Sequence, residues 1–327
     1  MLTRLFALLA VAVTAMLPAG VQAQGSNRFE FVALGDMPYR LPDDFAAFDR
    51  LIAAINATRP SFSLHVGDIK NGSSPCSDEH FAQVLQRFRA FDQPLVYTIG
   101  DNEWTDCHRQ SAGGHDPLER LDKLRRLFFA APEVSLGKQT MPVEAQSRAM
   151  ADKHAPFVEN ARFEKNGVWF STVHVVGSNN GFEPGDPRVV TEFTARDAAN
   201  VAWIDDTFRK AQAANARAVV IAWQANVHDT RQMAGEALPR SSGFVKTIEA
   251  VERGATAFKR PVLIVYGDGH EFEVVRFRNA NMKHIPGALA LQVMGEARVH
   301  AVRVLVDPDS PGVFGFVPLL VPENGPH

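Results

Sequence analysis

Glycine followed by aspartate, at the end of a short apolar run, recurs along this chain. Phe31-Val32-Ala33-Leu34 leads to Gly35-Asp36, and Phe62-Ser63-Leu64-His65-Val66 leads to Gly67-Asp68. The run from Pro94 to Ile99 leads to Gly100-Asp101-Asn102-Glu103, and the run from Pro261 to Tyr266 leads to Gly267-Asp268. Composition alone would give roughly one or two Gly-Asp pairs. The sequence holds five, and the fifth, Gly185-Asp186 between Pro184 and Pro187, reads as an ordinary turn. Short apolar runs bounded by Pro and Gly suit buried strands better than helices. Ligands of a parallel sheet gather beyond the carboxyl ends of its strands. The four units therefore bring Asp36, Asp68, Asp101 and Asp268 to one rim. Crowded carboxylates raise one another's pKa unless a cation sits among them, and burying them uncompensated costs several kcal/mol. The pattern points to bound metal, against the plainer reading of four strand-ending turns.

The elements that must position this rim follow from periodicity. A helix from Pro42 to Thr58 places Phe45, Phe48, Leu51, Ile52 and Ile55 on one face. Ser77 caps a second helix running to about Phe91, and Asp116-Pro117-Leu118-Glu119 opens a third that ends near Phe129. The region from Trp104 to Glu159 reads as an insertion covering the rim. Asn166-Gly167 turns a hairpin between Arg162–Lys165 and Val168–Val176. Thr194 is expected to cap a helix to about Ala213, a strand follows over Ala218–Trp223, and another helix spans about Phe244 to Phe258. Only strands are expected afterwards, over Phe272–Phe277, Ala288–Met294, Val299–Val306 and Val313–Leu320. Parallel β/α segments mixed with hairpins favour an α/β fold of two packed mixed sheets over a doubly wound nucleotide fold.

Residues 1–23 read as a secretory signal peptide, with Arg4, an apolar core from Leu5 to Leu17, and Val21-Gln22-Ala23 before the first mature residue, Gln24. An uncleaved anchor is the alternative, and no later stretch is long and apolar enough to span a bilayer. Residues 24–327 are then one exported domain, periplasmic or secreted. A hydrophobic fraction of 46% excludes a disordered chain, and a net charge of −3 gives no footprint for nucleic acid. Two cysteines follow the second and third Gly-Asp units. In an oxidising compartment Cys76 and Cys107 are expected to form a disulfide, with soft metal ligation as the competing reading.

The ordered blocks Gly35-Asp36, Gly67-Asp68, Gly100-Asp101-Asn102-Glu103, Gln224 after a strand, and Gly267-Asp268-Gly269-His270 resemble the calcineurin-like metallophosphoesterase superfamily. Its blocks are Asp-X-His, Gly-Asp, Gly-Asn-His-Asp/Glu, a histidine after a strand, and Gly-His-X-His. The resemblance spans roughly residues 28 to 275. It implies a four-layer α/β/β/α sandwich and two divalent ions that activate a water and clamp a phosphoryl group. Asp36 would hold the first ion with His270, and Asp68 would bridge both. Asp101, Gln224 and Asp268 stand at the remaining metal-ligand positions of those blocks. The chain departs from the blocks at Pro38, Asp101, Asn102, Gln224 and Asp268, and the replacements mostly offer oxygen, which favours Mg²⁺ or Mn²⁺.

The resemblance implies phosphate mono- or diester hydrolysis of a small phosphorylated substrate. Asn102 stands where that family carries its acid, and His270 or His228 is a substitute donor. A relative that binds metal or a phosphorylated ligand without turnover is the alternative. Lys70, His108 and Arg109 are candidate phosphate contacts on rim loops. Glu103 is either a carboxylate supporting the site or a solvated loop residue. His65 and His174 interrupt apolar strands and read as core histidines.

Overall fold

Successive side chains of a strand point to opposite faces, and most strands here are apolar on both. The computed structural model describes residues 27–229 and 237–325. The expected signal peptide, residues 1–23, lies outside the described residues. In chain order the elements are β1 (Phe29–Leu34), α1 (Asp44–Thr58), β2 (Ser63–His65), α2 (Asp78–Phe88), β3 (Leu95–Tyr97), α3 (Pro117–Phe128), β4 (Glu144–Ala145), β5 (Ala161–Lys165) and β6 (Val168–Thr172). They continue with α4 (Pro187–Ala213), β7 (Ala218–Ala222), α5 (Val245–Phe258), β8 (Val262–Tyr266), β9 (Glu273–Arg278), β10 (His284–Gln292), β11 (Ala301–Val306) and β12 (Phe314–Leu319).

These strands form two mixed sheets, ordered β12-β11-β1-β2-β3 and β4-β5-β6-β7-β8-β10-β9. The central strands run parallel, β1 to β3 in one sheet and β6, β7, β8 and β10 in the other. Alternation then sorts the core into three layers. Val32 and Leu34 pack under α1, α2 and α3 with Phe48, Phe81 and Leu121. Phe31 and Ala33 face the opposite way, into the space between the sheets, with Phe170, Val220, Leu263 and Val265. Val219, Ile221 and Ile264 meet Trp203, Ile248 and Val251 under α4 and α5. The expected four-layer α/β/β/α sandwich is the observed one.

One helix starts earlier than expected. α4 begins at Pro187, because the Asp186 carboxylate accepts the Arg188 N–H at 2.9 Å and proline occupies the first turn. Gly185-Asp186 is thus a helix start, the same Asp-Pro device that opens α3. Thr194 lies inside the helix, its hydroxyl donating to the Val190 carbonyl at 2.7 Å. The stretch from Trp104 to Glu159 is divided in its placement. Short 3₁₀ turns at Thr105–His108 and Gln110–Ala112 follow the third rim loop. Beyond them α3 joins the outer helical layer, Leu136 pairs with Leu95, and β4 extends the second sheet.

Cys76 and Cys107 form a disulfide, which removes the soft-ligand reading. It joins the loops after β2 and β3 across a sequence separation of 31. Closing such a loop stabilises by about 3–4 kcal/mol. The double substitution Cys76→Ser/Cys107→Ser is expected to lower the unfolding free energy by that order in urea titrations, and an unchanged midpoint would refute the structural role.

Candidate functional site

The Gly-Asp pairs have a spatial reason. Asp36, Asp68 and Asp268 all adopt left-handed backbone, with φ of 53°, 55° and 70°, and His270 does too at 64°. Non-glycine residues there are uncommon and gather at functional sites. The preceding glycines let neighbouring loops touch. A Cβ on Gly67 would stand 2.6 Å from the Gly100 nitrogen, and one on Gly267 would stand 2.3 Å from Asp36 Oδ2. A larger residue at either position would push the rim apart.

The four carboxylates come together from both sheets; Asp36, Asp68 and Asp101 are buried and Asp268 is partly exposed. Both Asp36 oxygens accept the Asp268 N–H at 3.0 Å. Asp268 Oδ2 accepts the Asn226 N–H at 3.0 Å, and Asp101 Oδ2 accepts the Ser178 hydroxyl at 2.7 Å. Burial, then mutual repulsion, drives Asp36 and Asp68 well above the usual carboxylate range. Burial pushes Asp101 and Asp268 up to about 6, with Asp106 adding at the first and Asp101 at the second.

Asp68 is the best-solvated carboxylate of the group, and protein donors do the solvating. Its Oδ2 accepts from the Tyr39 hydroxyl at 3.0 Å, Asn102 Nδ2 at 2.8 Å and Gln224 Nε2 at 3.1 Å. Its Oδ1 accepts the Asn102 N–H at 3.1 Å. The Gln224 amide is fixed in this sense, because its oxygen accepts the Gly177 N–H at 2.6 Å. Gln224 therefore presents nitrogen rather than a metal-ligating oxygen to Asp68, contrary to the sequence expectation. Asn102 likewise donates its amide N–H groups to Asp68 and Tyr39, so it orients the site. His270 reaches the site, its Nε2 3.1 Å from the Tyr39 hydroxyl.

Other expectations resolve by burial. Lys70 is not a surface phosphate contact: its ammonium is buried and donates to the carbonyls of Asn71 and Asn102 at 2.7 and 2.6 Å. Burial lowers its pKa to about 8 despite the carboxylates in front of it. Glu103 is buried as well, and its Oε1 accepts the Gly100 N–H at 2.6 Å and the Tyr97 hydroxyl at 2.8 Å. It clasps the third rim loop. Arg109 is half exposed and paired with Asp106 at 2.8 Å, beside the rim. His65 is a core residue that accepts the Gly67 N–H at 3.2 Å and holds the Met37 carbonyl. His174 is buried against Glu159 at 2.7 Å, and His228 packs its ring on Phe277 away from Asp68. Sequence reasoning missed Tyr39, Ser178 and Asn226. Tyr39 follows Asp36 by three residues and is one of only three tyrosines, yet no spacing rule marks it.

No family model and no curated protein matches this chain. Among solved structures, it is similar to a dimetal phosphatase from Danio rerio, at 13% identity and a TM-score of 0.52, covering 89% of this chain and 98% of that one. The fold is that of the calcineurin-like metallophosphoesterases. Two further structures align at lower scores. The anchor of the inner membrane complex of Plasmodium aligns at 10% identity and TM-score 0.48, covering 90% and 89% of the two chains. A protein of Thermus thermophilus aligns at 10% and 0.46, covering 89% and 98%.

The metallophosphoesterase fold raises the question of whether these residues suit a cation. Among the described residues, no three His, Cys, Asp or Glu side chains already stand in an arrangement that holds one. The chemistry of the donor set nevertheless suits a hard ion on one side, where Asp68, Asp101 and Asp268 crowd negative charge that a cation would relieve. A linked stability effect follows. Asp101 and Asp268 titrate near 6 when folded and near 3.9 when unfolded. The folded chain keeps these protons longer, so the cation-free protein should lose stability as pH rises from about 4 to about 6. Millimolar Mn²⁺ should therefore raise the melting temperature more at about pH 7.5 than at about pH 5. Equal shifts by calorimetry at both pH values would contradict the cluster's role in binding.

Proposed function

We propose that this protein hydrolyses phosphate ester bonds with a divalent cation, Mn²⁺ or Mg²⁺, held by Asp68, Asp101 and Asp268. The supporting observation is the convergence of four carboxylates, three of them buried, from two sheets on one rim, each with its pKa pushed up. A bound cation would polarise a phosphoryl oxygen and ease deprotonation of water. The chain's own residues supply the frame. Asn102 and Gln224 fix Asp68 through Oδ2, Ser178 fixes Asp101, and Asn226 fixes Asp268. Arg109, half exposed beside Asp106, is the cationic side chain proposed to meet substrate phosphate. The His270 imidazole is engaged by Tyr39, which leaves leaving-group protonation weakly served. Substrates with good leaving groups, small aryl esters or phosphoanhydrides, fit best. A periplasmic or secreted location is part of the proposal, supported by the disulfide.

A second reading, ligand binding without turnover, is favoured by one observation. Three protein donors already saturate Asp68 Oδ2. Turnover of p-nitrophenyl phosphate and bis-p-nitrophenyl phosphate with Mn²⁺ separates the two. Hydrolysis of either ester, with kcat/KM lowered roughly a hundredfold or more in Asp68→Asn and an unchanged circular-dichroism spectrum, is the expected result. Mn²⁺ binding with no turnover of either ester would transfer the conclusion to the second reading.

A further inference from the structure

We infer that the hydroxyl of Tyr39 occupies the seat between Asp68 and His270, so that the site takes one divalent cation and not a pair. The inference rests on the cation-dependent reading of the rim. A cation shared by these two residues would stand about 2.0–2.2 Å from each donor atom. The Tyr39 oxygen instead lies 3.0 Å from Asp68 Oδ2 and 3.1 Å from His270 Nε2, hydrogen-bonded to both. A neutral phenol thus fills the space that the ion would need.

The bonding of that hydroxyl is complete. A phenol has one proton to give and two lone pairs to receive. Its proton goes to the Asp68 carboxylate, and it accepts from Asn102 Nδ2 at 3.1 Å. The second lone pair faces His270 Nε2, and the contact fits the tautomer that carries its proton there. A protonated ring nitrogen cannot ligate a metal through that atom.

The tyrosine is also held from behind. Its N–H donates to Asp44 Oδ2 at 3.3 Å, and its carbonyl accepts from Asn71 Nδ2 at 2.9 Å and the Ser74 hydroxyl at 3.1 Å. Its ring meets the His270 ring edge-on with centroids 5.3 Å apart. The preceding residue is Pro38, which offers no side-chain donor. Both Asp36 oxygens share the Asp268 N–H at 3.0 Å. Asp101 and Asp268 are anchored by Ser178 and Asn226 instead of the phenol and keep, with Asp68, the one cation seat proposed above.

Manganese stoichiometry reads this directly, without reference to turnover. The purified protein is titrated with Mn²⁺ and free ion is counted by electron paramagnetic resonance, alongside Tyr39→Phe. One bound ion per chain with no exchange coupling in the parent, and a second, coupled ion in Tyr39→Phe, is the expected result. Two coupled ions in the parent would overturn the inference while leaving the cation-dependent reading intact. One ion in both proteins would overturn the assignment of Tyr39 as the excluding group. No bound ion in the parent would overturn the inference together with the reading on which it rests.

Discussion

Crowding four carboxylates side by side is the constraint that the rest of the structure answers to. Each would be ionised in water, and each is pushed toward its protonated form once the loops close over it. Such a cluster tolerates negative charge only where positive or proton-donating groups face it. Here compensation comes from several directions. Backbone N–H groups of Asn102, Asn226 and Asp268 point at the carboxylates. The phenol and two amides surround Asp68. The buried Lys70 ammonium stands behind the second and third loops.

The same groups hold the loops in register. Lys70 grips the Asn102 carbonyl at 2.6 Å, and both disulfide sulfurs touch that oxygen at 3.8 and 3.9 Å. Glu103 ties the chain back to Gly100, and His65 ties the second loop to Met37. These contacts explain why Lys70, Glu103 and His65 are buried although their positions would also suit exposed polar residues. A charge that clamps backbone carbonyls costs desolvation but removes the freedom of two loops at once. The rim is therefore held from behind its carboxylates.

Amides and a phenol around Asp68 limit what the rim can do. An imidazole offers a lone pair to a metal, whereas an amide pinned through its oxygen offers only N–H. Gly177 fixes Gln224 in that second role. The strands and the three apolar layers do not depend on which polar groups the loops carry. Chemistry on this scaffold is decided by a handful of loop atoms that bear little on stability.

Much of this architecture was legible in the sequence because it is local. Apolar runs ending in Gly-Asp marked the strand ends, and Ser77 and Asp116-Pro117 marked helix starts that the structure retains. Asp186-Pro187 carried the same signal as Asp116-Pro117 and was masked by the turn-like Pro184-Gly185 beside it. The carboxylate rim was legible for the same reason, since each aspartate is tied to its own strand. Orientation was not. Whether Gln224 turns oxygen or nitrogen toward Asp68 depends on the Gly177 N–H, 47 residues away, and Lys70 is inward only because the Asn102 carbonyl awaits it, 32 residues on. Tyr39 meets His270 across a separation of 231 residues. The chain by itself determined which aspartates reach the rim, through short-range periodicity and turn chemistry. Only the packing of two sheets decided which atoms of those residues face one another, because hydrogen-bond partners are chosen by distance in space and not along the sequence.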